Sequence, residues 1–121
     1  MSLIALLIAL APAQVSCIAT DGDSLRCGEK RVRLIGIDAP ELHGCRKGRV
    51  CAKGDPVAST QALARIVDGH PVHLERHGRD RYGRTLAFAL VGKVNLSCHQ
   101  IRGGWADYKP EWDVGGTAGR C

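Results

Sequence analysis

Apolar and polar residues alternate with a period of two in the first half of the chain and then recur at helical spacing, so short strands precede a mixture of strands and helices. Val15 to Thr20 and Ser24 to Cys27 flank the turn tripeptide Asp21-Gly22-Asp23 and predict a hairpin. Arg31 to Asp38 predicts a third strand, with Val32 and Leu34 on one face and Arg33, Ile35 and Ile37 on the other. Leu42 to Gly54 is rich in Gly, Arg and Lys and predicts a surface loop. Asp55 and Pro56 suit the cap and first position of a helix over Pro56 to Asp68, in which Ala62, Leu63, Ile66 and Val67 recur at helical spacing until Gly69. Val72 to Arg76 and Thr85 to Val91 predict two more strands, joined by the polar stretch His77 to Arg84. Asn95 to Arg102 predicts a second helix, capped by Asn95 and stopped by Gly103-Gly104. Five strands with interposed helices imply a mainly β fold with helices (α+β), a five-stranded OB-type Greek-key barrel carrying two helices.

Ahead of these elements, Leu3 to Leu10 is an unbroken run of Leu, Ile and Ala, followed by Ala11-Pro12-Ala13, the small-x-small form of a signal-peptidase site. Residues 1–13 are therefore expected to be a signal peptide, although no Lys or Arg precedes the run, and residues 14–121 a single domain. The run is too short to span a bilayer, and its alternative is a buried first strand or helix. A lipid anchor on Cys17 fits less well, because Gln14 stands where such a signal carries Leu.

Export agrees with the 6 cysteines of this 121-residue chain, an even number that suggests disulfides stapling a thin core. Cys17 and Cys27 lie symmetrically about Gly22 and would face each other across the hairpin. Cys45 and Cys51 would close the basic loop, leaving Cys98 for Cys121. Other connectivities remain open, as does a zinc site of His43, Cys45 and Cys51, which would lack any Cys-x-x-Cys pair. His43, His70, His73, His77 and His99 are scattered and read as surface or edge-strand residues without a catalytic role.

Charge changes the picture more than composition does. With 17 Lys and Arg against 12 Asp and Glu the chain carries +5, but the acids are bunched. Setting aside Asp21, Asp23, Asp38 and Glu41 leaves 8 acids against the same 17 bases, a balance of +9 for the remainder. A basic body suits a polyanion, while carboxylates gathered at neighbouring strand ends repel one another unless a hard cation such as Ca²⁺ joins them. The plainer reading is that such Asp residues only cap their turns. Arg33 and Arg84 complete the pattern, since guanidinium forks match phosphate oxygens.

The ordered set Asp21-Gly22-Asp23-Ser24, Arg33-Leu34-Ile35-Gly36-Ile37-Asp38-Ala39-Pro40-Glu41 and Asp80-Arg81-Tyr82-Gly83-Arg84 resembles the three motifs of the staphylococcal nuclease (thermonuclease) family, over about Val15 to Tyr108. The resemblance implies a Ca²⁺-dependent nuclease that cleaves DNA and RNA phosphodiesters to leave 3′-phosphates. It implies Asp23 and Asp38 as direct metal ligands with the main-chain carbonyl of Ala39, and Asp21 behind them. Glu41 would be the general base, and Arg33 and Arg84 would stabilise the transition state. Arg81, Tyr82 and Tyr108 would meet the nucleotide. Three departures stand out. Ala39 replaces the Thr of the family's type member, which a carbonyl ligand tolerates; Leu96 to Ala106 is longer than in that protein and carries Gly103-Gly104-Trp105, which bears on the place of Tyr108; and Pro110 to Cys121 is short and Gly-rich where that protein has a long C-terminal helix.

The expected protein is thus an exported, periplasmic or extracellular nuclease acting on DNA and RNA, preferring single strands. It would be a monomer with no protein partner and, once its leader is removed, no membrane contact. The alternatives are a catalytically inactive OB-type nucleic-acid-binding module, disfavoured by its few aromatics, and a disulfide-stapled secreted protein that binds another protein.

Overall fold

The computed structural model describes residues 14–121, so the expected signal peptide lies outside the described residues. Strands β1 (Cys17–Asp21) and β2 (Ser24–Cys27) form the expected hairpin, with Cys17 directly opposite Cys27. Its register shifts between Ala19 and Asp21, just ahead of the acidic turn. Strand β3 (Lys30–Leu34) follows antiparallel to β2 and then lies parallel to β6 (Thr85–Val91), which pairs antiparallel with β5 (His73–Arg79). The order β1-β2-β3-β6-β5 is that of the expected OB-type arrangement. Val15 and Val72 exchange two backbone hydrogen bonds, of 2.9 and 2.8 Å, which bring the two ends of that order together.

The third strand is shorter than its alternation predicts. It stops at Leu34, Gly36 turns with φ +83°, and a separate β4 (Ile37–Asp38) pairs with β8 (Asp107–Tyr108). A side chain at Gly36 would collide with Ala118, so both the turn and the packing require glycine there. The break rotates the chain, which buries both Ile35 and Ile37 instead of leaving them beside Arg33. The strand expected to end at Arg76 runs on to Arg79, and a short β7 (Val94–Asn95) pairs antiparallel with the end of β6.

Helix α1 (Pro56–Val67) begins as its sequence dictates: the Asp55 carboxylate accepts from the amides of Val57 and Ala58 at 3.0 and 3.1 Å. It buries Ser59, Ala62, Leu63 and Val67. Helix α2 (Leu96–Arg102) is capped by Asn95, and its buried Ser97 hydroxyl donates to the Ile35 carbonyl at 2.7 Å. The core is aliphatic, joining Leu25, Val32, Leu34 and Ile37 of the sheet to Leu63, Val67 and Leu96 of the helices.

Three disulfides staple this core, Cys17–Cys27, Cys45–Cys51 and Cys98–Cys121, leaving no free cysteine among the described residues. They follow the expected connectivity. The Cys45–Cys51 bond removes the thiolates a zinc site with His43 would need.

Candidate active site

The acidic turn is held from beneath by buried polar side chains. Gln100, fully buried on α2, donates through Nε2 to the carbonyls of Gly22 and Ser59 at 2.8 and 3.1 Å. Ser59 donates in turn to the Trp105 carbonyl at 2.7 Å. A Cβ on Gly22 would run into Ser59 and Ala39, so glycine is required where the turn presses on α1. The consequence is that the acids flanking Gly22 are fixed to the core.

Around this turn the carboxylates draw together. Asp23 accepts from the Ala39 amide at 2.9 Å through Oδ2 and from the Ser24 hydroxyl at 2.8 Å through Oδ1, which links the hairpin turn to the end of β4. Asp21 accepts from the Leu42 amide at 3.1 Å. Asp38 is only 1% exposed. Burial pushes its carboxyl above the ordinary range, opposed by Arg49 and Arg33 and reinforced by Asp23 and Glu41. Asp21 is likewise raised, by burial first and by the charges of Asp23 and Glu41.

Guanidinium groups fill the space between these acids. Arg33 places Nη1 2.8 Å from Asp23 and Nη2 3.5 Å from Asp38, and its Cζ lies 5.5 Å from the ring centre of Trp112. Arg49 places Nη2 3.1 Å from the same Asp38 oxygen, while its Nη1 donates to Glu41. Neither Arg49 nor Trp112 was legible as a site residue: one sits in an irregular loop and the other beyond the last regular strand, where periodicity says nothing.

The far side of the site is the turn between β5 and β6. Asp80 accepts from the Tyr82 and Arg84 amides, each at 2.9 Å, and from Arg84 Nε at 2.7 Å. Against the opposing effect of burial, these hydrogen bonds hold the Asp80 carboxyl below its ordinary range. Arg31 donates to the Tyr82 carbonyl at 2.7 Å and ties the turn to β3. Tyr82 is half exposed, with Arg81 and Arg84 over its ring at 5.0 and 5.7 Å.

These groups line one open cleft of about 1080 Å³, shared by Asp21, Asp23, Arg33, Glu41, Arg81, Tyr82 and Arg84 with Arg46, Arg49 and Trp112. Asp38 is not part of the lining and connects to it through its contacts with Arg33 and Arg49. Tyr108 stands apart from the lining: its hydroxyl donates to Asp113 at 2.9 Å on the β8 side. The oxygen-only donors Asp21, Asp23, Asp38 and the Ala39 carbonyl have the chemistry a hard divalent cation requires. Among the described residues, however, no three acidic, histidine or cysteine side chains converge as a ready metal cage. Arg33 and Arg49 bridge the acids instead.

The OB-type sheet carries acids and arginines at its strand ends in one basic-rimmed cleft, side chains whose chemistry suits phosphate oxygens. Comparison with known proteins agrees: the model of the family described as staphylococcal nuclease homologue matches residues 31–117. An uncharacterized endonuclease of Haemophilus influenzae is 37% identical over 92 residues, covering 72% of this chain and 47% of that protein. The chain thus spans about half the length of that curated relative. It belongs to the staphylococcal nuclease homologue family. The matched segment begins at Arg31, so Asp21 and Asp23 join the site through their contacts with Arg33, Ala39 and Leu42.

Proposed function

We propose that the protein is an exported, Ca²⁺-dependent nuclease that hydrolyses phosphodiester bonds of DNA and RNA to leave 3′-phosphates. The observation that carries this reading is the gathering of Asp23, Asp38, Glu41 and Arg33 around one cleft that Arg84 also lines. Asp23 and Asp38 would hold the cation with the Ala39 carbonyl, and Asp21 would support them from behind. When bound, Ca²⁺ would ease deprotonation of water and neutralise charge on a phosphate oxygen. Glu41 takes the proton as the water oxygen bonds to phosphorus and the bond to the 5′ oxygen breaks. Arg33 and Arg84 hold the extra negative charge of the five-coordinate phosphorus, Arg84 from the side of the departing oxygen, and solvent supplies the proton of the new 5′ hydroxyl.

Arg81 and Tyr82 rim the cleft where a terminal phosphate and its nucleotide would lie, and Tyr108 would act from beyond it. Single strands suit this opening, because exposed Tyr82 and Trp112 offer faces on which unpaired bases stack. Three disulfides favour an oxidising compartment, periplasmic or extracellular, reached through a signal peptide at residues 1–13. Among the described residues no helix is long and apolar enough to cross a membrane. The protein would act as a monomer.

End-group analysis of the products tests the chemistry. Denatured DNA and RNA digested by the purified protein in CaCl₂ should carry 3′-phosphates and 5′-hydroxyls. Fragments bearing 5′-phosphates would refute the proposed bond cleavage.

A further inference from the structure

The loop between β4 and α1 is built to deliver one side chain. The Cys45–Cys51 bond closes a ring with a sequence separation of 6, and within it the Arg49 amide donates to the Arg46 carbonyl at 3.1 Å. That turn passes through Gly48 at φ +82°, a conformation that calls for glycine at its third position. Arg49 follows directly, and its guanidinium bridges two carboxylates of different exposure, the buried Asp38 and the partly exposed Glu41. It therefore engages both an acid expected to bind the cation and the acid expected to take the proton.

Resting on the metal-dependent reading given above, the geometry points to Arg49 as a built-in cation that occupies the carboxylate site and must be displaced by the divalent ion before the cleft is armed. Three physical points carry this. Asp38 Oδ1 already has Arg49 Nη2 at 3.1 Å and Arg33 Nη2 at 3.5 Å, so a cation bonding to that oxygen would meet like charge at contact distance. Arg49 Nη1 also donates to Glu41 Oε1, so the same side chain occupies the oxygen that would have to face the attacking water. Finally, the Arg49 side chain is 38% exposed against 11% for Arg33, so Arg49 is the guanidinium free to leave. The disulfide ring keeps it at the mouth of the cleft with Arg46 and Lys47, where a phosphate chain would meet it.

Calorimetric titration of the whole protein with CaCl₂ alone tests this, with melting temperatures measured with and without the ion. Arg49→Ala should bind Ca²⁺ about twofold to fivefold more tightly than the parent, the scale of one partly exposed charge contact. Arg49→Lys, which keeps the charge but cannot bridge both acids, should fall between them. Arg49→Ala should also lower the melting temperature in chelator and leave it near the parent value in saturating Ca²⁺. Equal or weaker binding by Arg49→Ala, or a fall in melting temperature of the same size in both conditions, would overturn the displacement and leave Arg49 a purely structural residue. Asp23→Asn separates the two levels. If the parent shows no Ca²⁺ heat that this substitution removes, the metal-dependent reading fails and the role of Arg49 fails with it.

Discussion

The Gln100 side chain donates to the Gly22 carbonyl at 2.8 Å, joining the second helix to the acidic turn across 78 residues of sequence. Because Gln100 is fully buried and also holds the Ser59 carbonyl, its replacement by Leu would strand two backbone acceptors away from water. Each unmet acceptor costs about 1–3 kcal/mol. Gln100→Leu should therefore lower stability in urea by at least about 2 kcal/mol with the dependence on urea unchanged. A loss within about 0.5 kcal/mol, the range of neutral surface changes, would show that the turn does not depend on this anchor.

Arg33 serves two acids at once, at 2.8 and 3.5 Å, from a side chain that is largely buried. Arg33→Ala should slow cleavage by at least about a hundredfold, the scale of losing one charge-stabilising donor, and should also lower the melting temperature because Asp23 and Asp38 lose a partner. Arg33→Lys should restore part of the melting temperature and little of the rate, since a point charge cannot reproduce the fork. Equal rescue of both would argue that Arg33 acts only as a structural cation.

Asp80 gives the β5–β6 turn a pH dependence whose sign is fixed. Its folded carboxyl lies below the ordinary 3.8, so the stability it contributes is present above that value and is lost as pH falls through the lower, folded one. Asp80→Asn should therefore melt below the parent at pH 6, with the gap closing as pH drops beneath 3.8. A gap that is constant over that range would mean the carboxylate charge is not what holds Arg84 and the turn.

The Cys98–Cys121 bond ties the end of the chain to α2 across 23 residues, and the tied segment includes Trp112 and Asp113 of the cleft wall. Closing a loop of that length is worth about 3 kcal/mol on chain-entropy grounds. Replacing both cysteines by Ser should destabilise the protein by roughly that amount. It should also weaken binding of single-stranded DNA if Trp112 stacks on a base. Unchanged DNA affinity in a folded variant would remove Trp112 from the binding surface.

Much of the fold could be read from the sequence because its signals are local. Asp55 and Asn95 cap the helices they precede, the hairpin turns at Asp21-Gly22-Asp23, and Cys17 meets Cys27 because both are equidistant from Gly22. The break at Gly36 was not legible, since Arg31 to Asp38 alternates as one strand would and only the approach of Ala118 reveals why the chain must turn. Of the candidate site residues that the structure brings together, Asp23, Arg33, Asp38 and Glu41 stand in motif order in the sequence, whereas Gln100 and Ser59 act through contacts 41 to 78 residues apart. A buried polar anchor of that kind leaves no periodic mark. Arg49 was hidden for a different reason: among the basic residues of one loop, only the folded ring shows which one turns inward.

The most direct test of the proposed function is the cleavage rate of a labelled single-stranded DNA oligonucleotide, measured for the parent and for Glu41→Gln in CaCl₂ and in EGTA. The parent should cleave in CaCl₂ and stop in EGTA, and Glu41→Gln should be slower by at least about a hundredfold, the scale of one general base. A parent rate that survives EGTA, or a Glu41→Gln rate equal to the parent's, would contradict a Ca²⁺-dependent nuclease working from this cleft.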